Sequence, residues 1–225
     1  MHRLNQEIEK INHELAKMGS LSEQLLQDAV RALLTADVAL AREVIGRDQQ
    51  VDDAEKTINR YTIRLLATNQ PVAGDLRFLS AVFRLVTDLE RVADLSVNLA
   101  WRTVVINQEI DLPAPFSPLL PEMAQIAQDM MSKAMEALSL RNDHLSLQVC
   151  LMDNGLDKLH RQHRRAIIAT MQDHPELVPW GVEAILAGNH LERIGDHITN
   201  ICEETVYLVR GEVIRHQEDL KSPKA

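Results

Sequence analysis

Apolar residues recur every three or four positions along most of the chain, and the pattern breaks only at prolines, glycines and short polar runs. That spacing lines one face of an α-helix. The eight prolines stay out of the interiors of the long periodic stretches, where a proline would break a helix. Six helices are predicted, near residues 3–36, 38–69, 75–108, 119–140, 143–172 and 180–210. Pro71 closes the second. Pro113, Pro115, Pro118 and Pro121 mark a break between halves, and Pro175 and Pro179 mark the turn before the last helix. In the second helix Val44, Val51, Ile58 and Leu65 recur every seven residues, a seam suited to antiparallel packing in a left-handed bundle.

The halves follow one plan. Asp37 and Asn142 fall at corresponding turns between first and second helices, where a short polar side chain caps the orphan amides of the helix that follows. The expected fold is all-α, with two tandem three-helix-bundle repeats: residues 1–110, a Pro-rich linker at 111–118, residues 119–212, and a polar tail at 213–225.

Composition agrees with helix packing. Hydrophobic residues make up 45% of the 225, enough for a sizeable core, yet aromatics contribute only 3%. A net charge of −9 without a run of Lys or Arg disfavours nucleic acid and acidic lipid, and points to cations and proteins as partners. Cys150 and Cys202 are far apart along the chain, each among apolar residues, so a disulfide framework is not expected. The first residues lack the apolar core of a signal peptide, and no run of about 18 apolar residues occurs. A reducing, cytoplasmic setting is expected.

The acids add a second duplication. Four times two carboxylates stand four residues apart: Asp48/Asp52 and Glu90/Asp94, then Asp153/Asp157 and Glu192/Asp196. About four or five such pairs arise by chance in a chain this acidic, so their number says nothing. Their placement does, because no other Asp or Glu has such a partner and the pairs fall at matching places in the two halves. Asp48, Asp52 and Glu55 flank Val51 of the heptad seam. Glu90 and Asp94 continue a stripe through Phe83, Thr87, Val97 and Trp101. Two facing helices thus bring four or five carboxylates together, and like charges need a positive partner. Either the adjacent Arg91 and Arg193 or bound divalent cations supply it. A carboxylate set suits hard ions, Mg²⁺, Mn²⁺ or Ca²⁺, and also iron, better than Zn²⁺.

The flanking motifs carry a family resemblance. Gln70-Pro71-Val72-Ala73-Gly74-Asp75-Leu76-Arg77 precedes Leu89-Glu90-Arg91-Val92-Ala93-Asp94, and Leu191-Glu192-Arg193-Ile194-Gly195-Asp196 answers it. Lys17-Met18-Gly19, Asp48-Gln49-Gln50-Val51 and the run Asn200 to Gly211 follow in the same order. Over almost its whole length the chain resembles the PhoU family. That resemblance implies a PhoU-like fold of six long helices and a regulator that represses the phosphate-starvation response and modulates high-affinity phosphate uptake. It implies Asp48, Asp52, Glu55, Glu90 and Asp94 as ligands of one metal cluster, and Asp153, Asp157, Glu192 and Asp196 as ligands of another. The implied ions are Mg, Mn or Fe, with Zn and Ca the weaker fits.

His160 stands where Glu55 would repeat, and either swaps an oxygen for a nitrogen ligand or deletes one. Asn98 and Asn200 are equivalent to each other, either orienting carboxylates or bonding helix to helix, and Asp88 and His190 also correspond, either as supporting groups or as exposed residues. Ala93 and Gly195 share a position suited to close helix approach. The implied partners are the ATPase subunit of a phosphate ABC transporter, a sensor histidine kinase and a second copy of the chain. Membrane association would come only through those proteins. The competing reading is an enzyme, a di-metal carboxylate hydrolase or oxidase. It is the poorer fit because no Glu-x-x-His occurs and no nucleophile–base pair or phosphate cradle is evident, so no catalytic residue is assigned.

Overall fold

A computed structural model describes residues 2–108 and 119–213. Residues 111–118 of the expected linker and 214–225 of the expected tail lie outside them. The helices are α1 (His2–Thr35), α2 (Val38–Gly46), α3 (Asp48–Asn69), α4 (Ala73–Gln108), α5 (Leu119–Leu140), α6 (Asp143–Asp173) and α7 (Val178–Arg210). A short 3-10 turn, Pro175–Leu177, leads into α7. Among the described residues there is no strand, and no helix is long and apolar enough to cross a membrane.

The expected second helix is two. It breaks at Arg47 (φ −94°, ψ −5°), whose N–H donates to the Val44 carbonyl while its own carbonyl accepts from Gln50, both at 3.0 Å. Gly46 weakens the helix there, and the Arg47 guanidinium reaches across to Asp28 of α1 at 2.5 Å. The corresponding stretch of α6 runs through without a break. The consequence is that Asp48 opens a helix whereas Asp153, its counterpart, sits in mid-helix.

Duplication is visible in the turns. Asp37 accepts from the Leu40 amide and Asn142 from the Leu145 amide, each at 3.0 Å. Before each cap stands a left-handed residue, Ala36 (φ 55°) and Arg141 (φ 50°). The cap amides donate to Ala32 and Ala137, both at 2.9 Å, closing the preceding helix in the same way.

The heptad seam is core: Val44, Val51, Ile58 and Leu65 are all buried. One apolar cluster runs through both repeats, from Ile11, Met18 and Leu33 through Leu85, Leu89 and Val92 to Met130, Ile194 and Ile201. A smaller one, Ile106, Ile167, Trp180 and Ala184, fills one end. The repeats share a core because α4 and α7 pack together along their lengths. Arg84 bonds Glu204 at 2.6 Å, His197 bonds Asp88 at 2.9 Å and Arg102 bonds Glu183 at 2.8 Å, so numbers rise on one helix as they fall on the other. The two helices are therefore antiparallel. Cys150 and Cys202 also meet, across α6 and α7. Both are free, and the Cys202 thiol is pushed well up by its bond to Cys150 and by burial.

Candidate metal centre

The first acidic group lies where the start of α3 faces the middle of α4. Asp48, Asp52 and Glu55 come one helical turn apart on α3, and Glu90 and Asp94 one turn apart on α4. Their mutual influence confirms the approach of the two helices. Burial raises the Asp48 carboxyl, and the negative charges of Asp94 and Asp52 raise it further. Glu90 is pushed up to about 7, first by burial and then by Asp94, with Glu55 adding to both and Arg91 opposing them. The cost of crowding these acids thus concentrates on Glu90.

Positive side chains balance the group in part. Arg91 reaches Asp94 at 3.1 Å and Glu90 at 3.5 Å, and Lys56 stands 3.8 Å from Asp52. Arg91 itself is half exposed, so water screens much of its contribution.

The second group lies where α6 faces α7. Burial raises Glu192, Asp196 and Asp157 add to the rise, and His160 and Arg193 oppose it. Asp157 pairs with Arg161 at 3.4 Å. Asp153 is only 5% exposed, and Gly195 makes the space for it. A Cβ at Gly195 would lie 2.9 Å from Asp153 Oδ1 and 2.6 Å from Leu156 Cδ2. Ala93 occupies the corresponding place in the first repeat, opposite the less buried Asp48. Asp196 is the exposed member.

His160 stands near enough to this group to oppose the rise of Glu192. Its Nε2 lies 2.8 Å from Asn189 Oδ1 on α7, so Nε2–H donates and Nδ1 keeps the lone pair. Asn189 is not legible as a site residue from the motifs. The only trace is that the first repeat has Thr87 at the matching position, where it also has Glu55 in place of His160.

The remaining paired positions differ between the repeats. Asn98 is exposed, whereas Asn200 donates to Asp88 at 3.0 Å. Asp88 is itself buried between the repeats, and burial holds the imidazole of its counterpart His190 down to about 4. Of the α4 stripe, Phe83 is half-buried and Val97 buried, while Thr87 and Trp101 are exposed.

As placed, no three carboxylate, imidazole or thiol groups among the described residues close tightly enough to grip one ion. Arg91, Lys56 and Arg161 instead take carboxylate oxygens of Asp94, Asp52 and Asp157 into ion pairs. Carboxylate oxygens are the donor type that hard divalent cations take. Each group sets oxygen donors on two packed helices, and burial, with the neighbouring carboxylates adding to it, raises both Glu90 and Glu192.

A sequence model described as the PhoU domain matches the chain twice, at residues 15–103 and 120–205. The chain belongs to the PhoU family. Both matched segments hold their share of the acids, five in the first and four in the second. The chain is 34% identical over 214 residues to the phosphate-specific transport system accessory protein PhoU homolog of Pseudomonas aeruginosa, covering 95% of this chain and 88% of that protein. The homolog of the same name from Rhizobium meliloti is 31% identical, with 94% and 89% covered. Its fold matches the crystal structure of PhoU from P. aeruginosa with a TM-score of 0.89 at 34% identity, covering 92% of this chain and 99% of that one. The PhoU regulatory protein structure from Streptococcus pneumoniae gives 0.86 at 26%, with 94% and 99% covered. The PhoU-family fold thus accounts for both repeats.

Proposed function

We propose that this chain is an accessory regulator of phosphate transport that restrains the phosphate-starvation response when phosphate is plentiful. The observation that carries the reading is full-length similarity, through both repeats, to relatives named as phosphate-specific transport system accessory proteins. It acts in the cytoplasm as an adaptor, contacting the ATPase subunit of a phosphate ABC transporter and a sensor histidine kinase, and works as a homodimer. Long rigid helices with a shared core offer broad surfaces for such contacts. A regulator rather than a catalyst is the better fit, since the acids come without a nucleophile or Glu-x-x-His partner.

The acidic groups are its metal centres. Asp48, Asp52, Glu55, Glu90 and Asp94 hold one, and Asp153, Asp157, Glu192 and Asp196 hold the other. Bound ions there neutralise the carboxylates and tie α3 to α4 and α6 to α7. The decisive experiment is genetic. A strain lacking the gene should express alkaline phosphatase in high phosphate and regain repression when the chain is restored. Normal repression in the deletion strain would overturn the regulatory reading. Dialysis against Mn²⁺ or Mg²⁺ followed by elemental analysis tests the metal separately, with Asp94→Ala and Asp196→Ala each expected to lower the content.

A further inference from the structure

Along α7, Gly181, Gly188 and Gly195 recur every seven residues, and the next place in that series is Cys202. The side chains they meet step backwards along α6. A Cβ at Gly188 would lie 2.6 Å from His163 Cδ2, and one at Gly195 would lie 2.6 Å from Leu156 Cδ2. The two helices are therefore antiparallel and closely packed, and one heptad further on the same register sets Cys202 against the turn of α6 that holds Ser146 and Cys150. Both side chains bond the Cys202 thiol. Cys202 is fully buried, whereas Cys150 is half-buried against the same core. Close backbones are what a disulfide needs, since it spans a Cα separation of about 4.4–6.8 Å. The chain has no other cysteine, and the equivalent places in the first repeat hold Ile45 and Ala100, so the pair belongs to the second repeat alone.

We propose that Cys150 and Cys202 form a reversible redox switch, in which a peroxide oxidises Cys150 and Cys202 then closes a disulfide that staples α6 to α7. Cys150 takes the first step because it is the thiol that solvent reaches, while burial and the bond to Cys150 hold Cys202 as a thiol. Its sulfur attacks one peroxide oxygen, the O–O bond breaks, and water leaves with the thiol proton, giving a sulfenic acid. The Cys202 sulfur then attacks the Cys150 sulfur, the S–O bond breaks, and a second water leaves with the Cys202 proton. Two thiols lose two electrons and one peroxide becomes two waters. A reducing setting returns the pair to thiols, as is usual for disulfides that sense oxidants rather than support a fold. The staple lies about one helical turn from Asp153 and less than about two turns from Asp196, so oxidation ties the helices together beside the second acidic group.

The test uses the full chain, reduced, held in chelator and treated with hydrogen peroxide. Its intact mass should fall by two hydrogen atoms, both thiols should be lost to a thiol reagent in denaturant, and peptide mapping should find Cys150 joined to Cys202. Dithiothreitol should restore both thiols. Cys202→Ala should halt the reaction at Cys150, trappable as a sulfenic acid, and Cys150→Ser should leave Cys202 unoxidised at the same exposure. Amide exchange in the segments 143–156 and 195–210 should slow when the parent is oxidised and stay unchanged in either variant. Circular dichroism checks that both variants are folded. A parent that gains oxygen instead of losing hydrogen, a disulfide between two copies, or thiols that survive an exposure sufficient to oxidise Cys150 in Cys202→Ala would each overturn the proposal. So would a disulfide that forms without slowing exchange, since the bond would then switch nothing.

Discussion

Asp88 of α4 accepts the Nδ1–H of His197 of α7 at 2.9 Å, and the same carboxylate oxygen accepts from Asn200 at 3.0 Å. This clamp joins the two repeats, between the Glu90 motif of one and the Asp196 motif of the other. Asp88 is only 7% exposed, so removing it strands two donors in a region that water reaches poorly. Asp88→Ala should cost about 2–4 kcal/mol of unfolding free energy, measured by urea denaturation. His197→Ala should lose much of its own effect in that background, giving a coupling energy of about 1 kcal/mol or more. Additive losses would mean that the clamp does not hold the repeats together.

His163 is fully buried, donates Nε2–H to the Ala184 carbonyl at 2.9 Å, and lies against Gly188. Burial holds its imidazole below the ordinary range, and burial holds His190 down to about 4. Both rings are therefore neutral when folded and gain protons on unfolding below about pH 6.5. Their contribution is present above that pH and is lost as pH falls below it, for His190 toward 4. Stability should drop by up to about 1.4 kcal/mol per pH unit for each ring within its window. In urea titrations between pH 7.5 and 5, His163→Gln with His190→Gln should show a flatter dependence than the parent, whatever its absolute stability.

Much of this architecture is legible in the sequence because it rests on local rules. The caps Asp37 and Asn142 work as short polar side chains at helix starts do, and Val44, Val51, Ile58 and Leu65 form the buried seam that their spacing requires. The break at Arg47 is not legible that way. A single Gly46 is tolerated in many helices, and what tips the balance is a bond to Asp28, nineteen residues away. Long-range partners hide the site details for the same reason. Nothing near Asp88 in sequence foretells His197, and nothing near His160 foretells Asn189, because both partners come from α7. Repetition marks the nine acids as two groups, whereas the burial of Asp153 depends on the space that Gly195 leaves across the helix interface.

Glu90 carries the strain of the first group, and its sign is testable in metal-free protein. Its carboxyl is raised from 4.5 to about 7, so the ionised form is penalised in the fold. The penalty is absent below about pH 4.5, grows through the window and is complete above about 7. In chelator at pH 8, Glu90→Gln should be more stable than the parent by about 1–2 kcal/mol, and the difference should vanish near pH 4.5. Saturating Mn²⁺ should reverse the order at pH 8, since a bound ion stabilises only the protein that keeps its ligand. A variant less stable than the parent in chelator at pH 8 would show that Glu90 is a structural group.

Gly195 lets Asp153 enter the second group, and replacing it should separate metal binding from folding. A new Cβ would meet Asp153 Oδ1 at 2.9 Å and Leu156 Cδ2 at 2.6 Å. Both are ends of side chains, which can move, whereas the helix gains up to about 1 kcal/mol from alanine in place of glycine. The net change in stability from Gly195→Ala should therefore stay within about 1–2 kcal/mol. Asp153, however, must withdraw from its buried position toward a more open one, as its counterpart Asp48 has. Metal content should fall when Gly195→Ala is placed in protein already carrying Glu90→Ala with Asp94→Ala, and should hold when it is placed in protein carrying Glu192→Ala with Asp196→Ala, both read by elemental analysis. The converse change, Ala93→Gly, opens matching space for Asp48 and should not reduce uptake at the first. Unchanged metal content in Gly195→Ala would mean that the buried carboxylate of Asp153 is held for packing alone, leaving the centre to Asp157, Glu192 and Asp196.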